Sequence, residues 1–186
     1  MRDPYAPGTR VSRAEASRAT ETLERTSHGP DETRAMAARL GARLEAGDVV
    51  LLEGGLGAGK TVFVQGLARG MGLSAAVKSP TFTLVHEYRA AARSGRPGLA
   101  HLDLYRIPEG RDLSDLGLDD LSERAAVAVE WGARLVDSLP DHVRVDIEGP
   151  WPGRGDDERT LRFEGRGPRG MELVRALAEE HSGDPS

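Results

Sequence analysis

Gly54-Gly55-Leu56-Gly57-Ala58-Gly59-Lys60-Thr61 reads as Gly, four residues, Gly, Lys, Thr, the pattern of a phosphate-binding loop. Just upstream, Val49-Val50-Leu51-Leu52 is a short apolar run that suits a strand buried on both faces. Downstream, Phe63, Leu67 and Met71 recur at helical spacing, and Gly70 and Gly72 mark the helix end. Strand, loop and helix in that order let consecutive N–H groups of Gly55, Leu56, Gly57, Ala58 and Gly59 face a phosphate, with the positive end of the helix behind them. Lys60 is then expected to bridge the β- and γ-phosphates, its ammonium exposed in an empty loop. The Thr61 hydroxyl is expected to hold Mg²⁺. The chain carries 23 Arg but only two Lys, Lys60 and Lys78, so a compact ammonium stands at the one loop position that wants it.

Working outward, residues 1–26 read as a mobile N-terminal extension. Pro4, Pro7 and Gly8 discourage regular structure, and Leu23 is almost the only large apolar group in residues 12–25, which would be helical at most. Residues 27–181 read as one domain and 182–186 as a tail. A helix is expected from Asp31, capped by that residue, with Met36, Leu40 and Leu44 on one face. Pro80 pushes Ser79 toward extended backbone. Strands are expected at Phe82–Tyr88, Leu99–Tyr105, Ala125–Val129, Val143–Ile147 and Arg159–Phe163, and a final helix at Met171–Glu180. Several strands follow one another with little helix between them. The pattern predicts an α/β fold, a P-loop NTPase-like sandwich with a central mixed β-sheet flanked by helices.

Two acids end apolar strands. Asp103 follows Leu102 in HLDLYR, and Glu130 closes AVAVE. The C-terminal ends of parallel strands open onto the crevice that holds the phosphate loop. A carboxylate there is costly to bury unless it meets a cation or donors, and Mg²⁺ is the obvious partner. The competing reading pairs each acid with an arginine such as Arg106 or Arg134. Hydroxyls of Ser79 and Thr81 beside Pro80 could sense a γ-phosphate, although ordinary turn chemistry explains them as well. Trp131 reads as core packing. The five histidines show no metal-ligand spacing, and His86 and His101 read as ordinary strand residues.

Composition bounds the rest. No run of apolar residues approaches the ~18 of a membrane span, and the first residues lack the apolar core of a signal peptide. With no Cys, the chain has neither a disulfide framework nor thiolate chemistry, which fits a cytoplasmic location. A formal net charge of -5 argues against recruitment of nucleic acid by the whole chain.

The blocks ET at 32–33, GGLGAGKT at 54–61, VKSPTFTLVHEY at 77–88, HLDLYRI at 101–107, DLGL at 115–118 and VEW at 129–131 follow one another in an order that resembles the bacterial tRNA threonylcarbamoyladenosine biosynthesis ATPase family TsaE, also called YjeE. The resemblance implies a small P-loop ATPase that uses ATP and Mg²⁺ and acts with the TsaB–TsaD complex. The product is N6-threonylcarbamoyladenosine at position 37 of tRNAs reading codons that begin with adenine. Hydrolysis by the free monomer is expected to be slow, since no motif securely places an arginine finger in cis, and tRNA is expected to be met only through the complex. By match, Lys60, Asp103 and Glu130 would be catalytic, with Asp103 the Walker B acid and Thr61 with Glu130 the Mg²⁺ ligands. Thr33 would border the base, Arg159 would lie near it, and Thr81 would face the nucleotide. Gly55 departs from the usual Asp, and Gly132 from the Pro that commonly follows the Glu-Trp pair, which suggests a looser turn after Glu130. The rival readings are a small-molecule or nucleotide kinase, for which Arg93, Arg96 and Arg154 could supply a lid, and a non-catalytic nucleotide-gated interaction module. A GTPase is disfavoured because the chain contains no Asn for an NKxD-type guanine loop.

Overall fold

Val49–Glu53 forms a strand (β2) with neighbours on both sides, and its side chains are divided between two cores. Val50 and Leu52 face one, Val49 and Leu51 the other. That is why the stretch is continuously apolar rather than alternating. The computed structural model describes residues 20–74, 77–80, 84–91, 95–108, 116–150 and 157–179.

Around β2 the remaining elements are β1 (Thr20–Ser27), α1 (Pro30–Gly41), α2 (Lys60–Gly70), β3 (Val85–Tyr88), β4 (Gly98–Asp103), α3 (Leu118–Ser122), β5 (Ala125–Glu130), a 3₁₀ turn (Gly132–Leu135), β6 (His142–Glu148), β7 (Arg159–Arg166) and α4 (Gly167–Glu179). The strands make one sheet in the order β1-β7-β6-β2-β5-β4-β3. Its centre, β6-β2-β5-β4, is parallel, and antiparallel strands extend it at both ends. The mixed sheet expected from the sequence is therefore present.

The two faces are covered unequally. One buries Leu40 of α1, Phe63 and Leu67 of α2, and Leu173 and Leu177 of α4 against the sheet. The other is closed by Leu121 of α3, Leu135 of the 3₁₀ turn and the chain around Leu104 and Ile107. Helices α1 and α2 cross almost backbone to backbone. A Cβ on Gly70 would stand 2.0 Å from the carbonyl oxygen of Ala38. At the N-terminal end of β2, Arg169 clasps the molecule together. Its Nε donates to Asp48 Oδ1 at 3.1 Å, its Nη2 to the Arg43 carbonyl at 2.7 Å and its Nη1 to Glu172 Oε1 at 3.1 Å. The bond to Asp48 raises the Arg169 pKa despite partial burial.

Three expectations need correction. Residues 20–26 do not belong to an extension. Thr20–Ser27 is an edge strand, paired antiparallel with β7 from Thr20 opposite Arg166 to Ser27 opposite Arg159. Only Leu23 of this strand packs into the core as a large apolar side chain, because an edge strand covered on one face needs little else. Asp31 does not cap α1. The His28 N–H donates to Glu32 Oε2 at 2.7 Å, while Asp31 pairs with Arg34. The last helix begins at Gly167, four residues before the expected start. Residues 1–19, 81–83 and 180–186 lie outside the described residues, and with them the rest of the expected extension, the tail, Thr81 and Phe82.

Candidate phosphate and metal site

The loop after β2 turns on Gly54, whose φ of 145° is closed to side chains and whose missing Cβ would lie 2.4 Å from the Ile147 carbonyl oxygen. Gly55, Leu56, Gly57 and Ala58 follow. Leu56 stands at the tip, 84% exposed, and the Ala58 N–H donates to the Gly55 carbonyl at 3.1 Å. Gly59 precedes α2, and the Phe63 N–H closes the first helical turn on its carbonyl at 2.9 Å.

Lys60 is not exposed, contrary to expectation. Its side chain folds back, Nζ donating to the carbonyls of Gly54 at 2.7 Å and Gly55 at 3.0 Å, and it lies 4.0 Å from the centroid of the Trp131 ring. The residue is only 5% exposed. Burial pushes its pKa down, against the pull of Glu130, Asp103 and Glu53. The ammonium takes its acceptors from the loop itself.

Trp131 is correspondingly more than core packing. It has the left-handed backbone conformation, φ 59°, which turns the chain directly after β5. Its ring is half-buried, packed on the α3-side core, 5.2 Å from that of Tyr105 and beneath Lys60. The next residues are held by an acid that the sequence did not single out. Glu53 accepts a hydrogen bond from the Ala133 N–H, so the turn at Gly132 is pinned rather than loose. Partial burial raises the Glu53 pKa, opposed first by that N–H and then by Arg144.

The two strand-end acids converge. Asp103 and Glu130 are register partners in the parallel pair β4–β5. Glu130, 4% exposed, accepts a hydrogen bond from the Thr61 hydroxyl at 2.8 Å through Oε1. Asp103 accepts from the Ser79 hydroxyl at 3.3 Å and from the Tyr105 N–H at 3.0 Å. The arginine reading fails for Arg134, which donates instead to the carbonyls of Ile107 and Pro108. The donor set consists of hard oxygens, and among the described residues no three His, Cys, Asp or Glu side chains gather as a metal cage. That fits Mg²⁺, which is usually bound by one or two protein oxygens and completed by phosphates and water.

On the other flank, Arg159 Nε donates to the Ala58 carbonyl at 3.2 Å, which brings β7 against the loop. Thr33 is buried and its hydroxyl is shared with Ser27 Oγ at 2.8 Å, tying the end of β1 to α1. His101, read from the sequence as an ordinary strand residue, has a more particular place. Its ring is fully buried in β4, and Nε2 lies 2.9 Å from Glu130 Oε1. Its position two residues before Asp103 in one strand put both on one face, a signal available from period-2 alternation alone.

Comparison with known proteins identifies relatives across most of the chain. A family model described as "Threonylcarbamoyl adenosine biosynthesis protein TsaE" matches residues 27–155. A Bacillus subtilis protein named tRNA threonylcarbamoyladenosine biosynthesis protein TsaE is 40% identical over 151 residues, 80% of this chain and 89% of the relative. A Streptomyces coelicolor protein of the same name is 38% identical over 138 residues, 73% of this chain and 92% of the relative. The crystal structure of Bacillus subtilis YdiB superposes with a TM-score of 0.69 at 32% identity, covering 88% of this chain and 98% of that one.

Proposed function

Since the chain belongs to the TsaE family of threonylcarbamoyl adenosine biosynthesis proteins, P-loop ATPases involved in tRNA modification, we propose that it binds ATP with Mg²⁺ and hydrolyses it in the service of that modification. The observation that carries the finer reading is the meeting of Thr61 and Glu130, 2.8 Å apart, beside the buried Lys60.

Lys60 would leave the Gly54 and Gly55 carbonyls and turn to the β- and γ-phosphate oxygens, exchanging weak neutral acceptors for charged ones. The N–H groups of residues 55–59 and the start of α2 would bind the remaining phosphate charge. Thr61 and Glu130 would hold Mg²⁺, which supplies charge neutralisation on the phosphate oxygens as the phosphoryl group leaves. Asp103 would orient water at that cluster, with Ser79 as its hydrogen-bond partner. Thr81 would reach the nucleotide from the same segment. Arg159 would steady the loop at Ala58, and the segment around Thr33 would border the base.

The loop motif itself places no arginine finger in cis, so hydrolysis by the free monomer should be slow. The TsaB and TsaD subunits would raise it, and tRNA would be met only through that assembly, consistent with a net charge of -5. The place of work we propose is the cytoplasm; no helix among the described residues is long and apolar enough to cross a membrane.

The test is phosphate release from γ-labelled ATP, alone and with TsaB–TsaD, together with multiple-turnover formation of threonylcarbamoyladenosine. Slow release that rises with the partners, and tRNA modification that stalls after early turnovers without this protein, are expected. Stoichiometric capture of the γ-phosphate by a small-molecule or nucleoside acceptor would establish a kinase instead. Binding without any release would establish a nucleotide-gated module.

A further inference from the structure

The His101 ring has two nitrogens and a single polar contact. Nε2 lies 2.9 Å from Glu130 Oε1, and Nδ1 is buried with no hydrogen-bond partner among the described residues. A proton on Nδ1 would be a buried donor without an acceptor, the more costly way to leave that atom. The ring proton therefore belongs on Nε2, and His101 donates to the Glu130 carboxylate. The same oxygen also receives the Thr61 hydroxyl at 2.8 Å. Opposite His101 in the parallel pair stands Ala128, whose methyl group leaves the imidazole room to reach two residues along β5. Leucine or phenylalanine would fill this fully buried position without an orphaned polar atom, so packing alone does not account for histidine here.

We propose that His101 is a positioning residue for Glu130: it fixes the carboxylate in the rotamer that meets Thr61, so that the acid stays in place when the Thr61 oxygen turns from Glu130 to a divalent cation. This rests on the reading that Thr61 and Glu130 hold that cation. The logic is that of hydrogen bonds behind a ligand, which orient it and set its affinity without touching the metal. His101 meets neither substrate nor cation. Of the two bonds that hold Oε1 now, only the one from His101 survives nucleotide loading. Without it a buried carboxylate at the end of β5 would be free to swing away from the loop.

The experiment uses the full chain, ADP and Mn²⁺ as a paramagnetic probe, with bound and free Mn²⁺ separated by electron paramagnetic resonance. His101→Leu should weaken Mn²⁺ binding to the protein–ADP complex by about 10- to 100-fold. It should leave metal-free ADP affinity within roughly threefold, since ADP alone does not call on Glu130. His101→Gln, whose amide nitrogen can reach the same oxygen, should recover most of the loss. A folded His101→Leu protein with wild-type Mn²⁺ affinity overturns the proposal, as does a Gln variant no better than Leu. Should the Leu variant not fold, nitrogen-15 shifts of the wild-type imidazole decide: a proton on Nε2 supports the proposal and a proton on Nδ1 overturns it. A wild-type protein that binds ADP but never Mn²⁺ removes the metal reading itself. Equal Mn²⁺ binding by wild type and Leu variant removes only the role of His101.

Discussion

Thr61 and Glu130, 69 positions apart in sequence, are joined by a hydrogen bond of 2.8 Å. The bond links the first turn of α2 to the end of β5, and both residues present oxygen to the same point. Loss of either oxygen should therefore be read in metal dependence before anything else. Thr61→Ala and Glu130→Gln are each expected to raise the Mg²⁺ concentration needed for half-maximal ATP turnover by about tenfold or more. Because the two share a contact, the double variant should fall short of the product of the two effects. A Mg²⁺ titration of all three proteins gives the answer, and unchanged half-saturation in the single variants would remove both residues from the metal site.

Lys60 separates binding from stability. Its lowered pKa means that burial outweighs the attraction of Glu130, Asp103 and Glu53, so the charged form is held at a net cost. Lys60→Met keeps an unbranched side chain of similar length beside Trp131 and removes the charge that lies over its ring. It should match wild type in urea unfolding to within about 1 kcal/mol, yet bind ATP at least ~10-fold more weakly. Full ATP affinity in the folded variant would show that the loop does not use its lysine.

Glu53 gives a pH signature. Its folded-state pKa is raised, chiefly by burial, so the folded chain holds that proton more tightly than the unfolded one. The associated stability is present below the ordinary glutamate pKa and is lost as pH rises through the folded value. Glu53→Gln cannot lose a proton and still accepts from Ala133. Wild type should thus fall in stability relative to the variant between about pH 4 and 7. Urea midpoints at the two ends of that range test the sign, and the opposite trend would mean that Ala133 and Arg144 outweigh burial.

Arg169→Ala should damage the fold and spare the site. It leaves the largely buried Asp48 carboxylate with the Glu45 N–H but without its guanidinium partner, and removes a hydrogen bond from the Arg43 carbonyl. A loss of about 3 kcal/mol is expected. The clasp lies at the opposite end of β2 from the phosphate loop, roughly 15 Å away along a five-residue strand. ATP affinity at a temperature where the variant is folded should equal that of wild type. A large drop would couple the two ends of the sheet.

The elements legible in the sequence are those whose signal is local. The loop at 54–61, the buried runs at 49–52 and 125–129 and the stripe Phe63, Leu67, Met71 each declare themselves within a dozen residues, and the structure has them as read. The strand at Thr20–Ser27 was hidden because it is an edge, with polar side chains on its open face and Leu23 alone as a large core residue. The burial of Lys60 was hidden because the acceptors that hold it are backbone carbonyls, which no sequence displays. The same holds for Glu53, whose partner at Ala133 is a peptide N–H eighty positions away. The convergence of Asp103 and Glu130 was legible as two acids ending apolar strands. The histidine behind Glu130 was legible only as a strand residue sharing a face with Asp103; its meeting with Glu130 depends on β5 lying alongside β4, which position 101 does not display.

The crossing of α1 and α2 bears on how this chain can change over evolutionary time. What a side chain at position 70 would strike is the carbonyl of Ala38, and a carbonyl is common to every residue type. No substitution at position 38 could make room for a larger group at 70, so the pair has no compensating moves. Across relatives Gly70 should stay fixed while the exposed positions 35 and 39 drift, and it should leave no trace in correlated substitutions. The most intimate contact between the two helices would then be the one that covariation cannot see.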